Sequence, residues 1–319
     1  MICAKKIFVC CPQIVTGGPE LLHQLVHALR GFGHEAYICY FPFGQPFECP
    51  EPYRVYDAPQ SRLIDEPENF VLIPESSTWL VRHVRKAAVG VWWLSVDNYF
   101  GLRRKSVLRD IVSWVLTTTF ERVSLRRLHC YGHFVQSEYA REFLLAHEIQ
   151  AEMLTDYLNN QYFSVRQSPR ENIIAFNPRK GGAIVERLRK KNLDFKFVPI
   201  VGMTPSQVVD LLSRAKVYID FGHHPGKDRP PREAAICGAC VIVGDRGSAG
   251  NAIDIPIQDI YKLSQSSPGF YKEFRLLVES IFDDFASHQI RFEAYRKKIS
   301  AEKESFLGQV LRNFGCVER

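Results

Sequence analysis

Short apolar runs rich in β-branched and aromatic residues alternate with segments of helical period along this chain, and the alternation starts twice. The first set of runs lies at residues 7–11 (IFVCC), 36–41 (AYICYF), 70–73 (FVLI), 89–94 (VGVWWL) and 133–136 (HFVQ). Between the first two, residues 19–30 put Leu22, Leu25, Val26 and Leu29 on one helix face. Pro19 suits the first helical turn and Gly31 ends the segment. Strands separated by helices in this order read as a parallel sheet wrapped by helices. Residues 158–171 are polar, lack apolar periodicity and carry a proline, so they read as a linker. The rhythm then resumes, with strands expected at 172–176, 195–202, 216–222 and 240–244. Helices are expected at 182–192, 205–214 and 231–238. Residues 268–313 form a charged helical tail in which Leu276, Leu277, Ile281 and Phe282 make one stripe.

The expected fold class is therefore α/β, with two Rossmann-like domains and a C-terminal helical tail. The boundaries fall at 1–160 for the first domain, 161–290 for the second, and 291–319 for a tail that packs back on the first. The 319 residues suit two domains of about 150 residues each.

Nine cysteines without a disulfide rhythm fit a reducing compartment. The close pair Cys237 and Cys240 has no second pair to complete a tetrahedral metal site, so no metal site is expected. The N-terminus reads as a buried strand rather than a signal peptide, and no apolar run reaches the roughly 18 residues of a membrane span. The expected localisation is cytoplasmic, with peripheral attachment to a membrane as an option. That option comes from charge. The net charge is +6, and residues 81–128 hold ten Arg and Lys against three acids. Such a patch attracts an anionic membrane surface, nucleic acid or a phosphorylated substrate, or is simply a solvated face. No nucleic-acid-binding motif accompanies it, so nucleic acid is not an expected partner.

In an open parallel sheet, ligands bind beyond the carboxyl ends of the strands, where helix N-termini offer N–H groups and a positive dipole. After residues 7–11 come Gly17 and Gly18, which either let a ligand approach the backbone or make a tight turn. They do not form the GxGxxG dinucleotide signature. After 172–176 come Asn177, Arg179, Lys180, Gly181 and Gly182. The two cations are placed to neutralise a diphosphate and Gly181 gives room, yet the pattern is not a P-loop. After 216–222 come His223, His224, Lys227, Asp228 and Arg229, and then Pro230 and Pro231 open a helix. Glu233 is expected in the first turn of that helix, where a carboxylate either accepts two ribose hydroxyls or complements the dipole. After 240–244 come Gly247 and Ser248, with small side chains and a free hydroxyl. Asp97, after Trp92 and Trp93, is a candidate base or acceptor-orienting acid, and Glu75 is a second of the same kind. His133 lies inside a β run and reads as a core histidine.

Lys180–Gly181, the strand VYIDFG and the run from Arg232 to Ile242 (REAAICGACVI) resemble the GT-B superfamily of glycosyltransferases, in particular its retaining, family 4-like branch. The motif resemblance spans about 75 residues of the second half. It implies two Rossmann-like domains facing each other across a cleft. It also implies transfer of a sugar from a nucleoside-diphosphate-sugar to a glycan or lipid-linked glycan, as in bacterial surface polysaccharide synthesis. The nucleotide-sugar is then a substrate and no cofactor is needed. The resemblance makes Glu233 the ribose acid and gives Arg179 and Lys180 to the diphosphate. Gly17, Gly18, Asn177, His223, His224, Lys227, Arg229, Gly247 and Ser248 would surround the donor, and Asp97 would serve the acceptor. The family often carries an earlier acid eight positions before the ribose acid, and Pro225 stands there in this chain. Two other readings of the same features are a nucleotide-sugar epimerase and a non-catalytic nucleotide-binding relative.

Overall fold

The computed structural model describes residues 2–45, 47–100, 122–164 and 168–316. They divide into two compact units. One contains residues up to Asp156 together with those from Glu304 onward, and the other runs from Tyr157 to Lys303.

The first unit is built on a six-stranded parallel sheet in the order β2-β1-β3-β4-β5-β6. Its strands are β1 (Lys6–Pro12), β2 (Glu35–Phe41), β3 (Phe70–Pro74), β4 (Ala88–Trp93), β5 (Gly132–Val135) and β6 (Glu152–Met153). All its pairings are parallel. Such a sheet is covered on both faces, so its strands are apolar almost throughout. Trp92 and Trp93, on successive positions of β4, are both fully buried on opposite faces. Each indole N–H finds an acceptor: Trp92 donates to the Leu154 carbonyl (2.9 Å) and Trp93 to His133 Nδ1 (3.0 Å). His133 in turn meets the Leu128 carbonyl through Nε2 at 2.9 Å, so it is a satisfied core histidine. Helix α1 (Gly17–Gly31) follows β1 and buries Leu22, Leu25, Val26 and Leu29, the face expected from their spacing. The shorter helices here are α2 (Val96–Tyr99), α3 (Leu125–Leu128) and α4 (Glu138–Leu145).

The second unit carries a four-stranded parallel sheet in the order β10-β9-β7-β8. Its strands are β7 (Glu171–Phe176), β8 (Lys196–Pro199), β9 (Ala215–Asp220) and β10 (Cys240–Val243). The connecting helices are α5 (Gly182–Lys191), α6 (Pro205–Arg214) and α7 (Arg229–Ile236). Helix α6 starts where the sequence signals it. Thr204 and Gln207 form a reciprocal capping box and Pro205 fills the first turn. The stretch read as a linker is partly core, because Leu158 and Tyr162 are buried in this unit. The tail is helical as α8 (Phe270–Asp283), α9 (Phe285–Ile290), α10 (Glu293–Ser300) and α11 (Glu302–Phe314). Phe270 and Phe274 of α8 pack edge-on against Phe221. Most of α11 belongs to the first unit, where Gln309 accepts from the Thr155 N–H and Phe314 stacks on Phe134.

Of the basic stretch 81–128, residues 101–121 lie outside the described residues, including Arg103, Arg104, Lys105 and Arg109. Among the remaining members, Lys86 pairs with Glu66 and Arg122 lies over the rings of Tyr99 and Phe100. Among the described residues, no helix is long and apolar enough to cross a membrane.

Candidate functional site

Strand order locates the site in the second unit. From β7 the chain moves to β8 on one side, then returns to β9 on the other side of β7 and continues outward to β10. The connections after β7 and after β9 therefore run in opposite directions. A crevice opens between the carboxyl ends of two such strands. The segments bordering it are residues 177–181 after β7 and 221–228 after β9.

Those two segments are joined by charge. Lys180 Nζ lies 2.6 Å from Asp228 Oδ2 and donates to the His223 carbonyl at 3.3 Å. Asp228 also faces His224, whose Nδ1 is 3.0 Å from the same carboxylate oxygen. On the other side of the ring, Nε2 is 3.3 Å from Asp220 Oδ1. Asp220 ends β9, is fully buried, and accepts the Gly222 N–H (3.0 Å) and the Tyr218 hydroxyl (3.4 Å). Burial alone would lower the His224 pKa; the carboxylates of Asp220 and Asp228 outweigh it and lift the value to about 9. Burial would raise Asp228, but His224 and Lys180 hold it below the usual carboxylate range. Tyr218 is pushed up by burial and by the Asp220 charge.

Backbone fit locks this arrangement. Gly181 sits at φ +66°, and a Cβ there would lie 2.6 Å from the Phe221 carbonyl carbon. The room that Gly181 provides is thus taken by the backbone of Phe221 and Gly222. Gly247, at φ +65°, faces the His224 carbonyl in the same way. Ser248 donates its N–H to the His224 carbonyl (2.8 Å) and its hydroxyl to the Gly226 carbonyl (2.5 Å). The Ser248 hydroxyl is therefore buried and engaged, not free as the sequence suggested.

A second cluster lies below the same loop. Arg232 Nη1 is 2.8 Å from Glu302 Oε2, and Lys227 Nζ is 2.9 Å from Glu302 Oε1. The side chains of Arg232, Glu302 and Lys227 are 1%, 4% and 8% exposed. Arg232 also donates to the carbonyls of Lys227 and Asp228.

These contacts correct several sequence assignments. His224 is fully buried between two acids, not open at the loop surface. Lys227 is turned inward to Glu302. Helix α7 starts at Arg229, with Asp228 as its N-cap, so Glu233 is its fifth residue and not in the first turn. Glu233 lies 3.6 Å from Arg229 and hydrogen-bonds Tyr162, whose hydroxyl is pushed up by burial and by that carboxylate. Asn177 shapes its own turn by accepting the Arg179 N–H. The Arg179 side chain is exposed, and His223 is exposed as well. Cys237 and Cys240 are separate buried thiols.

No protein-family model and no curated protein matches the chain in sequence. Solved structures match it along nearly its whole length. Sucrose-phosphate synthase from Thermosynechococcus elongatus aligns with a TM-score of 0.67 at 14% identity, covering 97% of this chain and 98% of that one. The Anabaena protein HepE, in complex with UDP-glucose, aligns at 0.63 and 10% identity, covering 97% and 98%. A glycosyltransferase from Rickettsia africae aligns at 0.59 and 12%, covering 97% and 96%. This is the GT-B glycosyltransferase fold.

In the GT-B frame the first unit has its own switch point, between β1 and β3. Gly17 and Gly18 open α1 there, after Thr16, whose carbonyl accepts the Tyr53 hydroxyl at 2.7 Å. Glu75 follows β3 directly, is 2% exposed, and accepts the Leu94 N–H at 2.9 Å. Burial lifts its carboxyl to about 8, against the hydrogen bonds from the Leu94 and Glu75 N–H groups, the Asn98 side chain and the Ser95 N–H. It ties β3 to the loop that carries Asp97, which is half-buried in the first turn of α2.

Sequence reasoning gave no role to Asp220, Arg232, Glu302 or Tyr162. For Asp220 a signal was present, an acid ending an otherwise apolar strand. For Glu302 no local signal exists, because its partners lie 70 and 75 positions away.

Proposed function

We propose that this chain is a glycosyltransferase that moves a sugar from a nucleoside-diphosphate-sugar to a glycan or lipid-linked glycan acceptor, with the diphosphate at the carboxyl ends of β7 and β9. The observation that carries the reading is Lys180 at the switch point of a GT-B sheet, bridged to the N-cap of α7. A cation and a helix N-terminus converge there, and both favour phosphate. The UDP-glucose complex of HepE, aligned over nearly the whole chain, supports a nucleotide-sugar as the donor class.

Bond breaking at the sugar anomeric carbon leaves the electron pair on the nucleoside diphosphate. Arg179, exposed, and Lys180, once it exchanges Asp228 for a phosphate oxygen, stabilise that developing charge electrostatically. These side-chain cations supply the charge that a divalent metal supplies elsewhere. Glu233, beside Arg229 and Tyr162, takes the ribose hydroxyls. Asp97 orients or deprotonates the acceptor hydroxyl, with Glu75 fixing its loop. The basic residues of 81–128 hold the enzyme on an anionic membrane surface near a lipid-linked acceptor.

The test is a thermal-shift screen of the whole chain against UDP, GDP, CMP, ADP and dTDP, repeated with Lys180→Ala. One nucleotide should raise the Tm, and the variant should lose that rise. If no nucleotide raises the Tm of the wild-type chain at millimolar concentration, the donor reading is wrong.

A further inference from the structure

We propose that His224 is a positioning residue of the donor site: a buried imidazolium that fixes Asp228 and thereby presents the Lys180 ammonium to the phosphates of the donor. This deepens the donor reading above and rests on it.

The flanking of the ring by two acids favours the charge. Each ring nitrogen faces a carboxylate, Asp220 at Nε2 and Asp228 at Nδ1. A neutral imidazole has one N–H and one lone pair, so it would turn a lone pair toward one of these acids. Only the doubly protonated ring suits both. The ring is fully buried, and the His224 backbone is held by Ser248 and packed against Gly247, so it cannot swing out to solvent or to a ligand. The groups around it come from four places: Asp220 and Tyr218 on β9, Asp228 at the start of α7, Lys180 after β7, and the uncharged Gly247–Ser248 loop after β10. With His224 protonated, the two acids balance the two cations. With His224 neutral, the cluster carries an uncompensated buried negative charge.

The consequence appears when a diphosphate arrives. Lys180 must leave Asp228 to bind it. Asp228 then keeps a counter-charge only if His224 is protonated. Without that proton, a bare carboxylate would lie beside the incoming phosphates and repel them.

The experiment is calorimetric titration of the nucleoside diphosphate returned by the thermal-shift screen into three proteins: wild type, His224→Gln and Lys180→Arg. Each is measured from pH 6.5 to 10. In wild type, affinity should fall by about tenfold as pH rises through about 9. Lys180→Arg, whose cation cannot deprotonate in this range, should keep that inflection, which assigns it to His224 rather than to Lys180. His224→Gln should bind about tenfold more weakly at pH 7 and show no inflection. Should His224→Gln fold poorly, imidazole carbon NMR of the wild-type chain serves instead, with the His224 ring expected to stay doubly protonated at pH 8. Flat wild-type affinity across this range, wild-type binding by a folded His224→Gln, or a neutral ring at pH 7 overturns the proposal and leaves the donor reading standing. Failure of every nucleoside diphosphate to bind the wild type at any pH sinks the donor reading instead.

Discussion

Replacing Glu302 by glutamine should destabilise the second unit by about 3 kcal/mol. The carboxylate lies 2.9 Å from Lys227 and 2.8 Å from Arg232, with all three side chains buried. Neutralising it leaves two buried cations without the acid they share. Lys298 is close enough to feel both, since its ammonium is held down by burial and by Lys227. Removing one partner of a buried ion pair costs about 3–5 kcal/mol. Arg232 keeps the Lys227 and Asp228 carbonyls as acceptors, which places the expected loss at the lower end. A chain of two units need not unfold in one step, so a single global Tm is the wrong readout. Native-state hydrogen exchange on the amides of α7 measures the opening of this unit directly. The triple variant Glu302→Gln, Arg232→Met, Lys227→Met should recover most of the loss, because no buried charge is then left unpaired. An opening free energy within about 1 kcal/mol of wild type for Glu302→Gln would refute the reasoning, since that is the range of a solvated surface pair.

Gly181→Ala should cost about 2 kcal/mol or more, through its positive φ and the close approach of Phe221, read as a lower opening free energy of the second unit in native-state hydrogen exchange; protection matching wild type would exclude this. Glu75 titrates near pH 8 in the folded chain and at an ordinary carboxylate value when unfolded. Its folded pKa is the higher one, so its contribution to stability is complete below about pH 4.5 and is lost as pH rises through 8. Urea midpoints of wild type should therefore fall from pH 5 to pH 8 relative to Glu75→Gln, and parallel midpoints would contradict the assignment. Glu233→Gln should weaken nucleotide binding by roughly 1.5–3 kcal/mol, read by calorimetry, whereas unchanged affinity in the folded variant removes it from the ribose.

The elements were legible where local chemistry decides them. Helix α6 was expected at 205–214 and runs from Pro205 to Arg214. The start of α7 was misread by two residues because Pro230–Pro231 looked like the opening, while Asp228 is the cap and Arg229 already helical. That offset is what put Glu233 in the wrong turn. The strand-end loops were legible as places but not as contacts. Lys180 was read as a bare cation, since nothing local marks a partner 48 positions later. Ser248 was read as a free hydroxyl because a carbonyl acceptor, Gly226, leaves no trace in side-chain chemistry. His224 is the instructive case. Its acids stand four residues before and four after it, Asp220 and Asp228, yet the segment between is a turn, so helical spacing gave no reason to join them.

A common logic connects the charged groups of the second unit. Cations gathered at the carboxyl end of a parallel sheet would repel one another in the absence of an anion. Here they are held in pairs by shared carboxylates: Lys180 and His224 share Asp228, while Lys227 and Arg232 share Glu302. The loop can thus fold before any donor is present. The same pairing changes what donor binding means. On the proposed donor reading, a phosphate would not fall onto a bare lysine; it would replace the carboxylate that already holds it. The net electrostatic gain is then the difference between two charge-assisted contacts, not the whole of one. Affinity in such a site depends on where the displaced carboxylate goes. Asp228 has His224 to receive it, whereas Glu302 is enclosed between two cations and has no comparable exit. The exchangeable pair lies at the switch point, so the proposed donor site would offer a diphosphate Lys180 rather than the enclosed Lys227.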